Sequence, residues 1–219
     1  RVDRIPLQHF LGSAEFCGLA FELISSVLVP RPETELLAVD AWAVAAIKEE
    51  SVVLDIGTGS GCLAVSVAVH AEETTIHSLD ISTAAINVAR ANAERHGVAE
   101  RIIFHEGDAR VALPGTCLFD VIVSNPPYIP SAEIESLQIE VRDHDPRLAL
   151  DGGLDGLEFY RSLAVSCLSR LRSDGRLLLE VGDGQGEVVA DLITAQGGRV
   201  LEILPDLNNI ERIVVASSN

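Results

Sequence analysis

The sequence predicts an α/β fold: a seven-stranded, mostly parallel sheet with helices on both faces, plus an N-terminal β-hairpin. Three observations lead there. From residue 51 onward, short β-branched runs alternate with stretches of helical periodicity. A glycine-rich loop directly follows the first of those runs. The chain has 219 residues, 47% of them hydrophobic, which suffices for one well-buried domain.

The elements follow in order. Residues 16–29 mix aromatic, β-branched and apolar side chains, with Gly18 and Ser25-Ser26 as punctuation, and predict two short strands or a hairpin. Pro30 and Pro32 end any strand there. Pro32 suits the first turn of a helix, and Glu33 and Glu35 suit its positive end. That helix is expected from Glu33 to about Ile47, with apolar positions at Leu36, Leu37, Val39, Ala43, Val44 and Ile47. Strands are then expected at 51–56, 74–79, 101–105, 119–124, 175–181, 200–204 and 210–216. Helices are expected at 61–71, 82–96, 154–171 and 187–196, with Ser82 as an N-cap. The expected division is a β-hairpin segment over 1–32 and one main domain over 33–219. Ligands of such sheets bind at the carboxyl ends of the strands, near the switch in strand order.

Composition narrows the function classes. The net charge is −17, whereas a protein that grips nucleic acid needs basic residues against phosphate. Nucleic acid is therefore not expected as the direct substrate. No apolar run is long enough for a spanning helix, and no secretory leader opens the chain. Cys17, Cys62, Cys117 and Cys167 lie far apart with no paired spacing, so reduced thiols in a cytoplasm are expected, with no metal site. The six histidines show no ligand spacing. A monomer is favoured. The chain contains no methionine and starts at Arg1-Val2-Asp3-Arg4, which reads as a piece of a longer protein.

The first strand, Val52–Ile56, leads into Gly57-Thr58-Gly59-Ser60-Gly61 and then a helix. Glycines let the backbone turn sharply and leave bare peptide N–H groups at a helix start. The third glycine arrives one residue earlier than in the dinucleotide fingerprint, and an acid, Asp55, precedes the loop. The pattern resembles the first motif of Rossmann-like class I methyltransferases, whose cofactor carries a cationic sulfonium and no pyrophosphate. Asp80, about 20 residues past the glycines, stands where ribose hydroxyls need an acceptor. In that class, the loop holding Asp108 and Ala109 borders the adenine, with the acid taking its exocyclic amine. Each feature alone is ordinary: a glycine loop, a solvated strand end, a turn residue. Their order, each at a strand end, favours the cofactor reading, with NAD binding as the competitor.

The fourth strand, 119–124, runs into Asn125-Pro126-Pro127-Tyr128. The Asn125 side-chain oxygen and the Pro126 carbonyl can accept both N–H bonds of one NH2 group. The prolines hold the loop rigid, and Tyr128 offers a flat face. A delocalised nitrogen is a poor nucleophile. Gripping both its hydrogens aims it and stabilises the charge that develops as a methyl group arrives. No general base is needed in the loop. The plainer alternative is a rigid turn after a strand.

These residues together resemble the HemK/PrmC family of release factor glutamine methyltransferases. The resemblance covers nearly the whole chain. It is carried by Arg4–Gly12 with Glu15-Phe16, by Pro30-Arg31-Pro32-Glu33-Thr34-Glu35, by both core motifs, and by Asp145-Pro146, Ala149-Leu150 and Gly152–Gly156. Asn-Pro-Pro-Tyr alone is shared with adenine methyltransferases; Pro30–Glu35 separates the branches. The resemblance implies S-adenosyl-L-methionine as cofactor, S-adenosyl-L-homocysteine as product, and peptide chain release factors as partners. The implied substrate is the glutamine of their Gly-Gly-Gln motif. It further implies that Gly57, Thr58, Gly59, Ser60, Gly61, Asp80, Asp108, Ala109 and Asn125 bind the cofactor. Asn125, Pro126, Pro127 and Tyr128 hold the glutamine amide, with Asn125 and Pro126 catalytic, while Phe16 and Arg31–Glu35 roof the site. Two departures stand out: His144-Asp145-Pro146 replaces the family's aromatic-Glu-Pro, and the family's helical N-terminal domain is absent from this sequence. The alternatives are an adenine N6 methyltransferase and a non-catalytic cofactor-binding protein.

Overall fold

The strands of the central sheet are apolar on both faces, and helices cover each face. The structure is a computed structural model and describes residues 4–219. Near the N-terminus stand a short helix, α1 (Leu7–Leu11), and a hairpin of β1 (Ser13–Phe16) and β2 (Leu19–Glu22). There follow α2 (Thr34–Ala45), β3 (Val52–Ile56), α3 (Cys62–His70), β4 (Thr75–Asp80), α4 (Thr83–Arg95), β5 (Ile102–Glu106) and β6 (Phe119–Ser124). The chain continues through α5 (Ile139–Arg142), α6 (Glu158–Leu168), β7 (Leu171–Glu180), α7 (Gly186–Ala195), β8 (Arg199–Pro205) and β9 (Glu211–Ser217).

The seven-stranded sheet has the order β5-β4-β3-β6-β7-β9-β8. β3 to β7 run parallel, while β9 is antiparallel to both of its neighbours. The order therefore reverses between β3 and β6, and a crevice opens at their carboxyl ends. Alternate residues feed two cores. Val53, Val121, Val123 and Leu178 pack with α2 and α3 on one face. Leu54, Ile56, Ile122, Leu177 and Leu179 pack with α6 and α7 on the other.

Most elements lie within a few residues of expectation, and four differ. The hairpin sits at 13–22, earlier than expected, because Cys17 and Gly18 both adopt positive φ (50° and 73°) and form its tight turn. Residues 23–29 form no strand. The first three residues of the 1–32 segment lie outside the described residues. α6 begins at Glu158, not 154, because Gly153 and Gly156 take positive φ in a loop that precedes it. β7 starts at Leu171, bending past Phe119 where the ladder shifts register. The short helices α1 and α5 carry too few residues for a periodic signal. Among the described residues, no helix is long and apolar enough to cross a membrane.

The hairpin is fastened by one buried side chain. Asn92 on α4 accepts from the Glu22 N–H at 2.7 Å and donates to the Glu22 and Ser60 carbonyls at 3.0 and 2.9 Å. Phe16 and Phe21 enter the same core as α2 and α3, with rings packed edge to face at 6.1 Å. One turn earlier on α4, Ala89 lies against Gly61, which has a φ of 81°. A side chain at 61 would bring its Cβ to 2.9 Å from Ala89 Cα and Cβ. Gly61→Ala should therefore destabilise the protein by about 1–3 kcal/mol, read as a fall in Tm with the sheet's circular dichroism retained.

Candidate active site

The crevice at the β3/β6 switch is an open cleft walled by the glycine loop, the end of β4 and the Asn-Pro-Pro loop. Of the residues expected there from sequence, Gly57, Gly59, Asp80, Asp108, Ala109, Asn125, Pro126 and Pro127 line it. Thr58, Ser60, Gly61 and Tyr128 do not. Thr58 is buried, donating to Asp55 Oδ2 at 2.7 Å and accepting from the Ser78 hydroxyl at 2.7 Å. Ser60 is buried too, its carbonyl held by Asn92. These residues shape the glycine loop from beneath, and Gly61 seats α3 on α4.

Asp80 ends β4 and supports the loop from the side. Its Oδ2 accepts the Gly59 N–H and its Oδ1 accepts the Ser82 N–H, both at 2.9 Å. Burial raises its pKa, against the pull of those backbone donors. Each oxygen retains a second lone pair, so the carboxylate can also receive a pair of hydroxyls. Ile81, Ala109, Leu148 and Phe159 supply apolar walls beside it. A planar group bearing a diol fits this acceptor and these walls. Asp108, expected to meet an exocyclic amine, is gripped by the Arg110 guanidinium, with Nη2 at 2.8 Å and Nε at 3.0 and 3.2 Å. The Arg110 guanidinium also lies 4.9 Å above the Phe159 ring. The charged pair holds Asp108 below the usual carboxylate range. Arg110, Ile81, Phe159 and the apolar stretch Ser26–Leu28 were not legible as site residues, since nothing in their spacing marks them.

Asp55 stands completely buried behind the loop and does not line the cleft. Burial pushes its carboxyl up to about 7, opposed by the Thr58 hydroxyl and reinforced by Asp80.

The acceptor loop leaves β6 at Asn125. Its Nδ2 donates to the Thr34 hydroxyl at 3.1 Å. Pro126 is buried, and Tyr128 packs against the core beneath α6. The Tyr128 carbonyl accepts from Gln185 at 3.0 Å, which anchors the loop to the start of α7. The segment Gly152–Gly156 runs beneath the same loop. Its backbone bonds to Ile129 and Ser131, and a Cβ at Gly152 would sit 2.8 Å from Tyr128 Cα. Only glycine allows that approach.

The Pro30–Glu35 segment ties three regions together. Arg31 reaches the buried Asp145 at 2.5 Å, and His9 of α1 meets the other Asp145 oxygen at 3.3 Å. Thr34 meets Asn125. Glu35 accepts the Cys17 N–H at 2.9 Å in the hairpin turn. The segment braces the acceptor loop, although Phe16 is a core residue away from the cleft lining.

This fold, with a glycine loop, a strand-end acid and an Asn-Pro-Pro-Tyr loop meeting at one crevice, defines a class I, Rossmann-like methyltransferase. The methyltransferase small domain model matches residues 34–143. The fold is shared with the ribosomal protein L11 methylase of Lactobacillus delbrueckii subsp. bulgaricus, with a TM-score of 0.64 and 18% identity, covering 88% of this chain and 82% of that one. A methyltransferase from Pyrococcus furiosus has a TM-score of 0.65 and 19% identity, covering 91% and 89%. In sequence, the release factor glutamine methyltransferase of Geobacter sulfurreducens is 44% identical over 214 residues, which is 98% of this chain and 74% of the relative. That of Gloeobacter violaceus is 44% identical over 215 residues, 97% and 74%. The chain belongs to the release factor glutamine methyltransferase family.

Two outcomes are expected. Arg31→Ala leaves the buried Asp145 short of its strongest partner, which should lower stability by about 1–3 kcal/mol in denaturant titration. Because Pro146, Leu148 and Ala149 line the cleft just beyond Asp145, cofactor affinity should weaken as well. Asp55 has a folded-state pKa raised to about 7, so the folded protein binds a proton more readily than the unfolded chain. Its ionised form is therefore a cost to stability above that pH, relieved as pH falls through it. Measured by Tm, the stability of Asp55→Asn relative to the parent should rise as pH increases from the ordinary carboxylate range towards about 7 and level off above it.

Proposed function

We infer that the chain transfers a methyl group from S-adenosyl-L-methionine to the side-chain amide nitrogen of a glutamine in peptide chain release factors, within their Gly-Gly-Gln motif. The observation that carries this reading is that Asn125 and Pro126 open onto the same cleft as Gly57, Gly59 and Asp80. The names of the relatives from Geobacter sulfurreducens and Gloeobacter violaceus support the choice of a glutamine amide. The cleft's fit to a planar group bearing a diol supports the cofactor.

When bound, S-adenosyl-L-methionine supplies an electrophilic methyl group and departs as S-adenosyl-L-homocysteine. The chain's own residues do the rest. Asp80 would receive the ribose hydroxyls, and Ala109 with the apolar walls would border the adenine. The Asn125 Oδ1 and the Pro126 carbonyl accept the two N–H bonds of the glutamine amide. That grip would aim the nitrogen lone pair at the methyl carbon. The methylated nitrogen would then lose one proton to water and regain conjugation. The two oxygen dipoles stabilise the positive charge on nitrogen before that proton leaves.

The test uses the protein, labelled cofactor and two release factors, one native and one with its motif Gln→Ala. Label should enter only the native factor. Label in both, or only in added nucleic acid, sinks the glutamine reading. Asn125→Ala should lower kcat by about 100-fold or more while cofactor Kd changes little. A variant with full activity would refute the grip by Asn125.

A further inference from the structure

Glu180 ends β7 and is 3% exposed. Its Oε2 has no hydrogen-bonding partner among the described residues. An unpartnered buried carboxyl oxygen calls for an explanation. The groups facing it come from every neighbouring element: Thr34 of α2, Asn125 of the acceptor loop, Glu33 just before α2, and Arg212 of β9, with Tyr128 and Tyr160 nearby. Tyr160 donates to the Glu180 backbone carbonyl at 2.8 Å, and Arg212 is already paired with Asp206 at 3.1 Å. Among the described residues no ion pair within 4 Å joins Glu180, and it stands beside the two residues that meet at the acceptor loop.

We propose that Glu180 is a positioning residue for methyl transfer: with Thr34 it decides which way round the Asn125 amide stands, so that Oδ1 and not Nδ2 meets the acceptor's N–H bonds. The inference rests on the glutamine reading above. A flipped Asn125 would present N–H to N–H and could not grip. The two ends of an amide are nearly equal in size, so only hydrogen bonding can select between them. The Thr34 hydroxyl accepts from Asn125 Nδ2 at 3.1 Å. Its single proton must then go to an acceptor. The Glu180 carboxyl faces both the Thr34 hydroxyl and the Asn125 amide, and an ionised carboxylate is acceptor-only, so it favours the arrangement in which both present hydrogen to it. A protonated Glu180 has a hydrogen of its own to give, and the directional preference is lost.

Burial pushes the Glu180 carboxyl up to about 7, with Glu33 adding to the rise and Thr34, Arg212 and Asn125 opposing it. The ionised, orienting form therefore dominates above that pH.

The experiment compares the parent protein with Glu180→Gln, Thr34→Val and Thr34→Ser, using labelled cofactor and a native release factor. The parent's kcat should fall as pH drops through about 7. Glu180→Gln and Thr34→Val should lower kcat about tenfold or more at pH near 8, with cofactor Kd within about twofold of the parent. Thr34→Ser keeps the hydroxyl and should restore activity. A second readout does not depend on turnover: the Asn125 side-chain amide resonance should shift with a midpoint near 7 in the parent and not in Glu180→Gln. Parent-level kcat in Thr34→Val, or an Asn125 signal that titrates equally in Glu180→Gln, overturns the proposal. If Glu180→Gln does not fold, the Thr34 pair and the parent's Asn125 titration decide it. A parent that transfers nothing to the glutamine overturns the functional reading and this one together; a parent that transfers while its folded variants match it overturns this one alone.

Discussion

The hydrogen bond between Thr34 and Asn125 joins two segments that are far apart in sequence and that the site cannot use separately. Asn125 leaves the buried end of β6, so its backbone is placed by the sheet. Its side chain is not. Its amide meets Thr34 because α2 begins there, and α2 begins there because Pro30 and Pro32 stop the chain and Pro32 starts a turn. Arg31 and Glu35 fasten the same segment to Asp145 and to the hairpin turn. Moving this segment would loosen the hairpin, the cleft wall after Asp145 and the acceptor grip together.

Three acids with raised pKa stand at strand ends in or behind the crevice. Asp55 and Glu180 are each raised to about 7, and Asp80 is raised as well, all three chiefly by burial. The parallel strands put them there: β3 contributes Asp55, β4 ends on Asp80 and β7 on Glu180. Keeping carboxylates desolvated is a cost to stability. In their ionised form such acids favour a cation over an anion nearby. Farther from the crevice, the acids are paired in the ordinary way, as Asp120 is with Lys48 and Arg172.

The sheet was legible because its strands are buried on both faces and read as apolar runs. Phe119–Ser124 is buried at every position and fell where expected. The helix before Glu180 was less legible. Apolar periodicity extends from Leu154, but Gly153 and Gly156 take positive φ to pass beneath Tyr128, and that need is invisible along the chain. The glycine loop showed the opposite difficulty. Its pattern marked five residues together, yet only Gly57 and Gly59 face the cleft, while Thr58 and Ser60 turn inward to hydrogen bonds and Gly61 serves helix packing.

By itself the sequence determined the alternation of elements and the places of the glycine loop and of the Asn-Pro-Pro-Tyr loop at strand ends, because each follows from local periodicity or from a few adjacent residues. Tertiary structure decided the rest. Arg110 takes up Asp108, Phe16 belongs to the core, and Glu180 stands beside Thr34 and Asn125. The segments that meet there lie 91 residues apart at the Thr34–Asn125 bond and 114 apart at Arg31–Asp145. Contacts of that separation are set by how helices cover a twisted sheet, and no short window of sequence encodes that covering.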